Sequence, residues 1–202
     1  MNLNKKNKNT NYIPLFSEEE YNSNDGLNTK CWGPPFWFTL HSISFNYPNE
    51  PTEQEKDNYH NYLMCLKNVL PCKACRENYS SNLERVGYTR ECLDNRKTFS
   101  MFVYRLHNCV NKMLGKDCPL TYNQVRDRYE MFRARCVDET PVIPKHTNKK
   151  LEENTKKENG CELPNNGIKT KTIINIVPAE DNTDSFKIDP RCIPKKKYKT
   201  LK

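Results

Sequence analysis

Between Cys31 and Cys136 the aromatic and aliphatic residues recur at three- and four-residue spacing, punctuated by proline and glycine, and strand-type alternation is nearly absent. This pattern restricts the chain to an all-α domain. Pro34 and Pro35 suit a first helical turn, where a missing N–H is harmless. Trp37, Leu40, His41, Ser44 and Phe45 follow until Tyr47-Pro48 stops the helix. Thr52 with Glu55 is a capping-box signature, opening a second helix through Tyr59, Tyr62, Leu63, Leu66, Val69 and Leu70 that Pro71 ends. A third helix is predicted from Cys72 to about Val86, with Gly87 as its stop. The fourth runs from about Lys97 through Phe102, Leu106 and Leu114, with Gly115 as C-terminal cap. A shorter fifth covers roughly Tyr122 to Arg135. Four main helices with short connections predict a four-helix bundle plus a short fifth helix.

The flanks differ in character. Residues 1–30 are polar and read as a flexible N-terminal arm, residues 31–137 as the helical domain, and residues 138–202 as a Lys/Asn/Glu-rich tail that is mostly disordered. Within the tail only Thr172–Val177 has the look of a short strand. Hydrophobic residues make up 35% of the 202, low for a chain globular throughout. The net charge of +8 is spread and mixed with acids, without a basic stripe on one helical face, so no nucleic-acid partner is expected. Lys195-Lys196-Lys197-Tyr198-Lys199 is the densest basic run and reads as a solvated tail. No secretory leader and no transmembrane segment are expected. Ten cysteines without an export signal point to metal binding or thiol chemistry more than to a secreted scaffold.

Pro71-Cys72-Lys73-Ala74-Cys75-Arg76 places two thiols one helical turn apart. Three chemistries remain open for such a pair: a redox dithiol, a structural disulfide, or half a zinc site. A redox dithiol needs its thiolate stabilised, and a helix N-terminus with Lys73 and Arg76 nearby supplies positive potential. Zinc needs two more ligands, with Cys92, His107, Cys109 and Cys118 available, and would make the chain a zinc-stabilised helical adaptor without catalysis. A thioredoxin-like domain would carry its dithiol after a strand, and none is present. A helical redox dithiol therefore needs a separate electron acceptor, and a flavin is suited to two-electron transfer from a thiolate.

Leu106-His107-Asn108-Cys109-Val110-Asn111 puts His107 and Asn111 on one face of an otherwise apolar helix. Mid-helix Asn is unfavourable by propensity and costly to bury without partners, so a polar ligand lying on this face is one explanation. A hydrogen-bond network between helices is the other. Trp37 and His41 form a similar pair on the first helix, an aromatic plane and an imidazole placed to grip a flat ring, or simply core packing.

Taken in order, these segments resemble the Erv/ALR family of FAD-linked sulfhydryl oxidases. Gly33-Pro34-Pro35-Phe36-Trp37 with Leu40-His41 and Tyr47-Pro48 is similar to that family's first-helix pattern. Pro71-Cys72-Lys73-Ala74-Cys75 is similar to its Pro-Cys-x-x-Cys centre, and His107-Asn108-Cys109-Val110-Asn111 with Leu114-Gly115-Lys116 to its His-Asn-x-Val-Asn helix and the Leu-Gly-Lys after it. The resemblance implies a helical bundle holding FAD, usually as a homodimer. It implies that Cys75 is the flavin-proximal thiolate, making the charge-transfer contact, and that Cys72 is the interchange thiol. Gly33, Trp37, His41, Tyr47, His107, Asn108, Asn111 and Tyr129 would surround the cofactor, with Lys116 and Arg128 near its phosphates. The partners implied are protein dithiols or a thioredoxin-like protein, with oxygen leaving as hydrogen peroxide.

The chain departs from the cellular members of that family. Tyr104 and Tyr122 stand where those relatives place a disulfide between the fourth and fifth helices, with Cys109 and Cys118 as a candidate substitute. Arg128-Tyr129 stands for the family's Arg-Trp. These departures and the Asn/Lys-rich composition are closer to members encoded by large cytoplasmic DNA viruses, which implies the host cytoplasm or the virion as location. Cys161 and Cys192 are candidates for a shuttle disulfide and Cys31 and Cys136 for an intersubunit one. Cys65 and Cys92 read as buried or incidental thiols.

Overall fold

A computed structural model describes residues 15–135, 163–164 and 170–193. It contains six α-helices: α1 (Glu18–Tyr21), α2 (Thr29–Phe45), α3 (Glu53–Val69), α4 (Lys73–Arg85), α5 (Arg96–Met113) and α6 (Tyr122–Glu130). Helices α2 to α5 are the four of the predicted bundle, and α6 is the short fifth. A 3-10 turn at Arg90–Leu93 joins α4 to α5. The four-residue α1 lies in the stretch read as a flexible arm and owes its start to a Ser17/Glu20 capping box.

Most helix limits follow from local chemistry. Thr52 and Glu55 form the capping box that opens α3, and Asn95 with Thr98 opens α5 in the same way. Gly87 after α4 and Gly115 after α5 adopt positive φ (+68° and +66°), which lets the following N–H bond back to an orphan helix carbonyl. Two limits differ from the sequence pattern. Helix α2 begins at Thr29, capped by Asn28, so Pro34 and Pro35 lie inside it. Proline φ is already helical, and the carbonyls left without donors are those of Lys30 and Cys31, on an exposed to half-buried turn that water reaches. Helix α6 stops at Glu130, where Arg133 pairs with that carboxylate at 2.6 Å and donates to the Phe45 carbonyl at 2.8 Å. Ala134–Arg135 then pairs antiparallel with Leu163–Pro164. Thr172–Val177 forms no strand, and Ile173, Ile174 and Ile176 are exposed.

Helix α5 is the centre of the bundle, packing against α2, α4 and α6, while α3 closes on α4. Leu40, Leu63, Leu93, Phe99, Val103 and Leu106 are each at most 1% exposed. Burying each such side chain stabilises the fold by roughly 1.5–3 kcal/mol before entropy is counted. Helices α5 and α6 are fastened by tyrosines: the Tyr104 hydroxyl donates to the Leu120 carbonyl at 2.9 Å, and the Tyr122 hydroxyl meets Ser100 Oγ at 2.8 Å. Their rings pack edge-on at 5.9 Å.

Part of the tail is packed on the domain. The Phe186 ring meets Phe38 at 5.4 Å and Phe132 at 6.1 Å and lies parallel to Tyr129 at 6.4 Å. Cys136, Cys161 and Lys195–Lys199 lie outside the described residues. Among those that are described, no helix is long and apolar enough to cross a membrane.

Candidate redox site

Leu70 leaves α3 with extended backbone, Pro71 prevents its continuation, and Cys72 (φ −149°, ψ 122°) becomes the N-cap of α4. The Cys72 sulfur accepts the Cys75 N–H at 3.2 Å, and the two cysteines form a disulfide with Cα atoms 5.2 Å apart. First-turn N–H groups and the helix dipole point positive potential at these sulfurs, stabilising a thiolate once the bond opens. The Arg76 guanidinium donates to the Leu70 carbonyl at 2.5 Å, which fixes a cation one turn away. Lys73 is exposed and faces Glu77 at 3.9 Å, so its charge is largely compensated and screened.

The candidate zinc ligands are dispersed. Cys92 turns to the Gly87 carbonyl, Cys109 to Asn82 Oδ1 and Cys118 to the Asn108 carbonyl, all at 3.8–3.9 Å, while His107 faces His41. Among the described residues no three His, Cys, Asp or Glu side chains gather as a metal site. Cys109 and Cys118 also remain separate thiols, so the substitute α5–α6 disulfide does not form. Cys65 is exposed rather than buried, Cys92 is half-buried, and Cys31 is a half-buried thiol within α2.

A pair of histidines lies between α2 and α5, His41 Nε2 being 3.1 Å from His107 Nδ1. Trp37 stacks on His107 at 4.1 Å with planes 7° apart, whereas it meets His41 only at 6.4 Å and 44°. The aromatic–imidazole pair expected along one helix is thus made across two. His41 stacks instead with Tyr129 at 5.2 Å and Phe45 at 6.2 Å. Burial first, and His107 second, push the His41 pKa down to about 3. Burial and the Lys116 charge push His107 down to about 4. Both rings are neutral at pH 7, and a single N–H joins them. The interhelical network therefore exists, but it is incomplete: His41 Nδ1 is buried and has no hydrogen-bond partner among the described residues.

Around this pair the surface changes from apolar to polar. Leu106 is fully buried, but His107, Asn108 and Asn111 are half-buried along the next turn of α5. A Cβ built on Gly33 of α2 meets nothing within 4 Å. Lys116, exposed beyond α5, donates its backbone N–H to the Asn111 carbonyl at 2.9 Å. Arg128 is half-buried next to Tyr129, whose hydroxyl burial holds protonated well above the usual range. Tyr47 is placed elsewhere, wholly buried against Tyr59 and Phe99 with its hydroxyl on the Leu93 carbonyl at 2.7 Å.

Sequence reasoning gave no role at the site to Trp32 and Phe36, which extend the aromatic face of α2 with rings 5.8 Å apart. Their i,i+4 spacing was the available signal. It also passed over the Gly26–Leu27 backbone, which touches Pro71 and Cys72. That long-range contact has no periodic signature.

A disulfide at a helix N-terminus, in an all-helical bundle that also holds a neutral histidine pair with an unfilled nitrogen, defines a helical thiol–disulfide protein. Residues 34–130 match the family model for Erv1 / Alr. The chain is 34% identical over 104 residues to the probable FAD-linked sulfhydryl oxidase of Acanthamoeba polyphaga mimivirus, spanning 52% of this chain and 72% of that one. It is 31% identical over 99 residues to the FAD-linked sulfhydryl oxidase of African swine fever virus, spanning 49% and 80% respectively. The crystal structure of the yeast Erv1 core aligns with 21% identity and a TM-score of 0.47, over 62% of this chain and 96% of that one. The chain belongs to the Erv1 / Alr family.

Proposed function

We propose that this chain is an FAD-dependent thiol oxidase that forms disulfide bonds in protein substrates. The observation that carries the reading is the Cys72–Cys75 disulfide at the start of α4, in a chain whose relatives are named FAD-linked sulfhydryl oxidases. A substrate thiolate attacks Cys72 Sγ and the Cys72–Cys75 bond breaks, releasing Cys75 as a thiolate that the helix N-terminus stabilises. A second substrate thiolate then attacks the mixed disulfide. The substrate leaves oxidised, and two electrons remain on the Cys72/Cys75 dithiol. FAD, when bound, would supply a two-electron acceptor for that dithiol, with oxygen as the final acceptor. The balance is two thiols plus oxygen giving one disulfide plus hydrogen peroxide.

The residues present fit such a cofactor. His41 Nδ1 is a buried polar atom awaiting a partner, the half-buried Asn108 and Asn111 side chains offer amide donors and acceptors, and Trp37 and His107 offer flat faces. These residues would hold the flavin, with the space over Gly33 and the Tyr129 ring beside it. Lys116 and Arg128 would serve its phosphates. Tyr47 would act through the fold, fixing the end of α2. Cys75, packed against the same core cluster as Trp32, Phe36 and Trp37, would be the thiolate nearest the ring. Homodimerisation, a thioredoxin-like partner, and the host cytoplasm or virion as location belong to this proposal on the same likeness.

Purified protein should be yellow, with a flavin band near roughly 450 nm that bleaches when a dithiol is added without oxygen. A colourless preparation that consumes no oxygen with dithiothreitol would sink the reading.

A further inference from the structure

The backbone beside Cys72 is already occupied by another part of the chain. Leu27 donates its N–H to the Pro71 carbonyl at 2.8 Å, and the Trp32 indole N–H holds the Leu27 carbonyl at 3.0 Å. Gly26 lies so close that an added Cβ would stand 2.7 Å from the Pro71 oxygen and 2.8 Å from Cys72 Cα. No side chain fits there. The strap's own side chains add little to this hold: Gly26 is exposed and the Leu27 side chain is 67% exposed. Tyr21, nearer the N-terminus, is 82% exposed. The contact with Pro71–Cys72 is thus a main-chain one, with one hydrogen bond and one glycine fit.

These features are those of a site that reads an extended backbone, as a sheet edge does, with affinity from main-chain hydrogen bonds. We propose that the Pro71–Cys72 backbone is the docking groove for an extended segment of the dithiol substrate, and that Gly26–Leu27 is its occupant in cis, displaced when substrate binds. The groove rests on the oxidase reading above and adds to it a substrate class: unfolded or locally extended protein chains, donating one N–H to the Pro71 carbonyl and presenting a glycine or another backbone kept clear of Cys72. A substrate so aligned brings its own thiol alongside the Cys72 sulfur, where exchange begins. One main-chain hydrogen bond shifts an equilibrium by about fivefold, which sets the size of the competition.

The test uses full-length protein under anaerobic conditions and follows opening of the Cys72–Cys75 disulfide by alkylation and mass spectrometry, a readout independent of turnover. Gly26→Ala displaces the strap sterically, and Leu27→Pro removes the N–H that bonds Pro71. With reduced, unfolded ribonuclease A as the protein dithiol, each variant is expected to open the disulfide about fivefold faster than wild type. With dithiothreitol, which needs no backbone groove, the change should stay under about twofold. Leu27→Ala keeps the N–H and should behave as wild type with both reagents. Unchanged or slower opening by the protein dithiol overturns the groove, and so does an equal acceleration with both reagents, which would mean simple uncovering. A wild-type disulfide that neither reagent opens would instead fell the oxidase reading, and the groove with it.

Discussion

A histidine 3% exposed with one ring nitrogen unsatisfied is a destabilising residue unless something binds to it. His41 and His107 both have folded-state pKa values below the ordinary 6.5, about 3 and about 4. The unfolded chain therefore takes up protons first as pH falls. Above about pH 6.5 protonation costs the fold nothing, and below it stability is lost progressively towards pH 4 and below. Groups facing the pair are Tyr129 from α6, whose hydroxyl burial keeps protonated, the indole of Trp37 and the Lys116 charge. Urea midpoints should fall between pH 7 and pH 5, and a His41→Phe/His107→Phe double variant should flatten that slope. At the redox pair, Cys75→Ser is expected to abolish turnover while flavin absorbance is retained; measurable oxygen uptake would remove Cys75 from its assigned place. Much of this was legible in the sequence, because His107 and two asparagines within one apolar helix violate propensity and burial rules together. That His107, rather than His41, stacks on Trp37 was not legible, because it depends on how α2 crosses α5.

At the scale of elements, caps were the readable signals. Thr52 with Glu55, Gly87 and Gly115 each mark a helix limit through chemistry confined to a few neighbouring residues. Thr52→Ala should cost about 1 kcal/mol, seen as a lower urea midpoint with unchanged slope. The limits that differed from the pattern have distant partners. Helix α6 ends beside an arginine that reaches the Phe45 carbonyl, the last of α2, and no local rule carries that information. Thr172–Val177 is the converse, a segment of good β-propensity with no strand paired to it among the described residues.

For the whole molecule, composition pointed to a disordered tail, and Phe186 qualifies that expectation. One aromatic residue, 54 positions beyond Phe132 (186 − 132), completes a cluster on the outer face of α2 and α6 and adds a further ring to the stack from Tyr129 to His41. Phe186→Ala should lower stability by about 1 kcal/mol and speed proteolysis of the tail; an unchanged cleavage rate would show the docking to be energetically idle. Low overall hydrophobicity could not disclose a single anchoring ring.

The tyrosine fastening of α5 to α6 has a consequence for how such a molecule begins its working life. Its joint is made of two hydroxyl contacts and an edge-on ring pair, and Cys109 and Cys118 beside it are not bonded to each other. A newly made chain can therefore assemble this corner in a fully reducing milieu, before any oxidising capacity exists around it. Reductants that open Cys72–Cys75 leave the corner untouched. This joint, at least, does not wait on the formation of a disulfide.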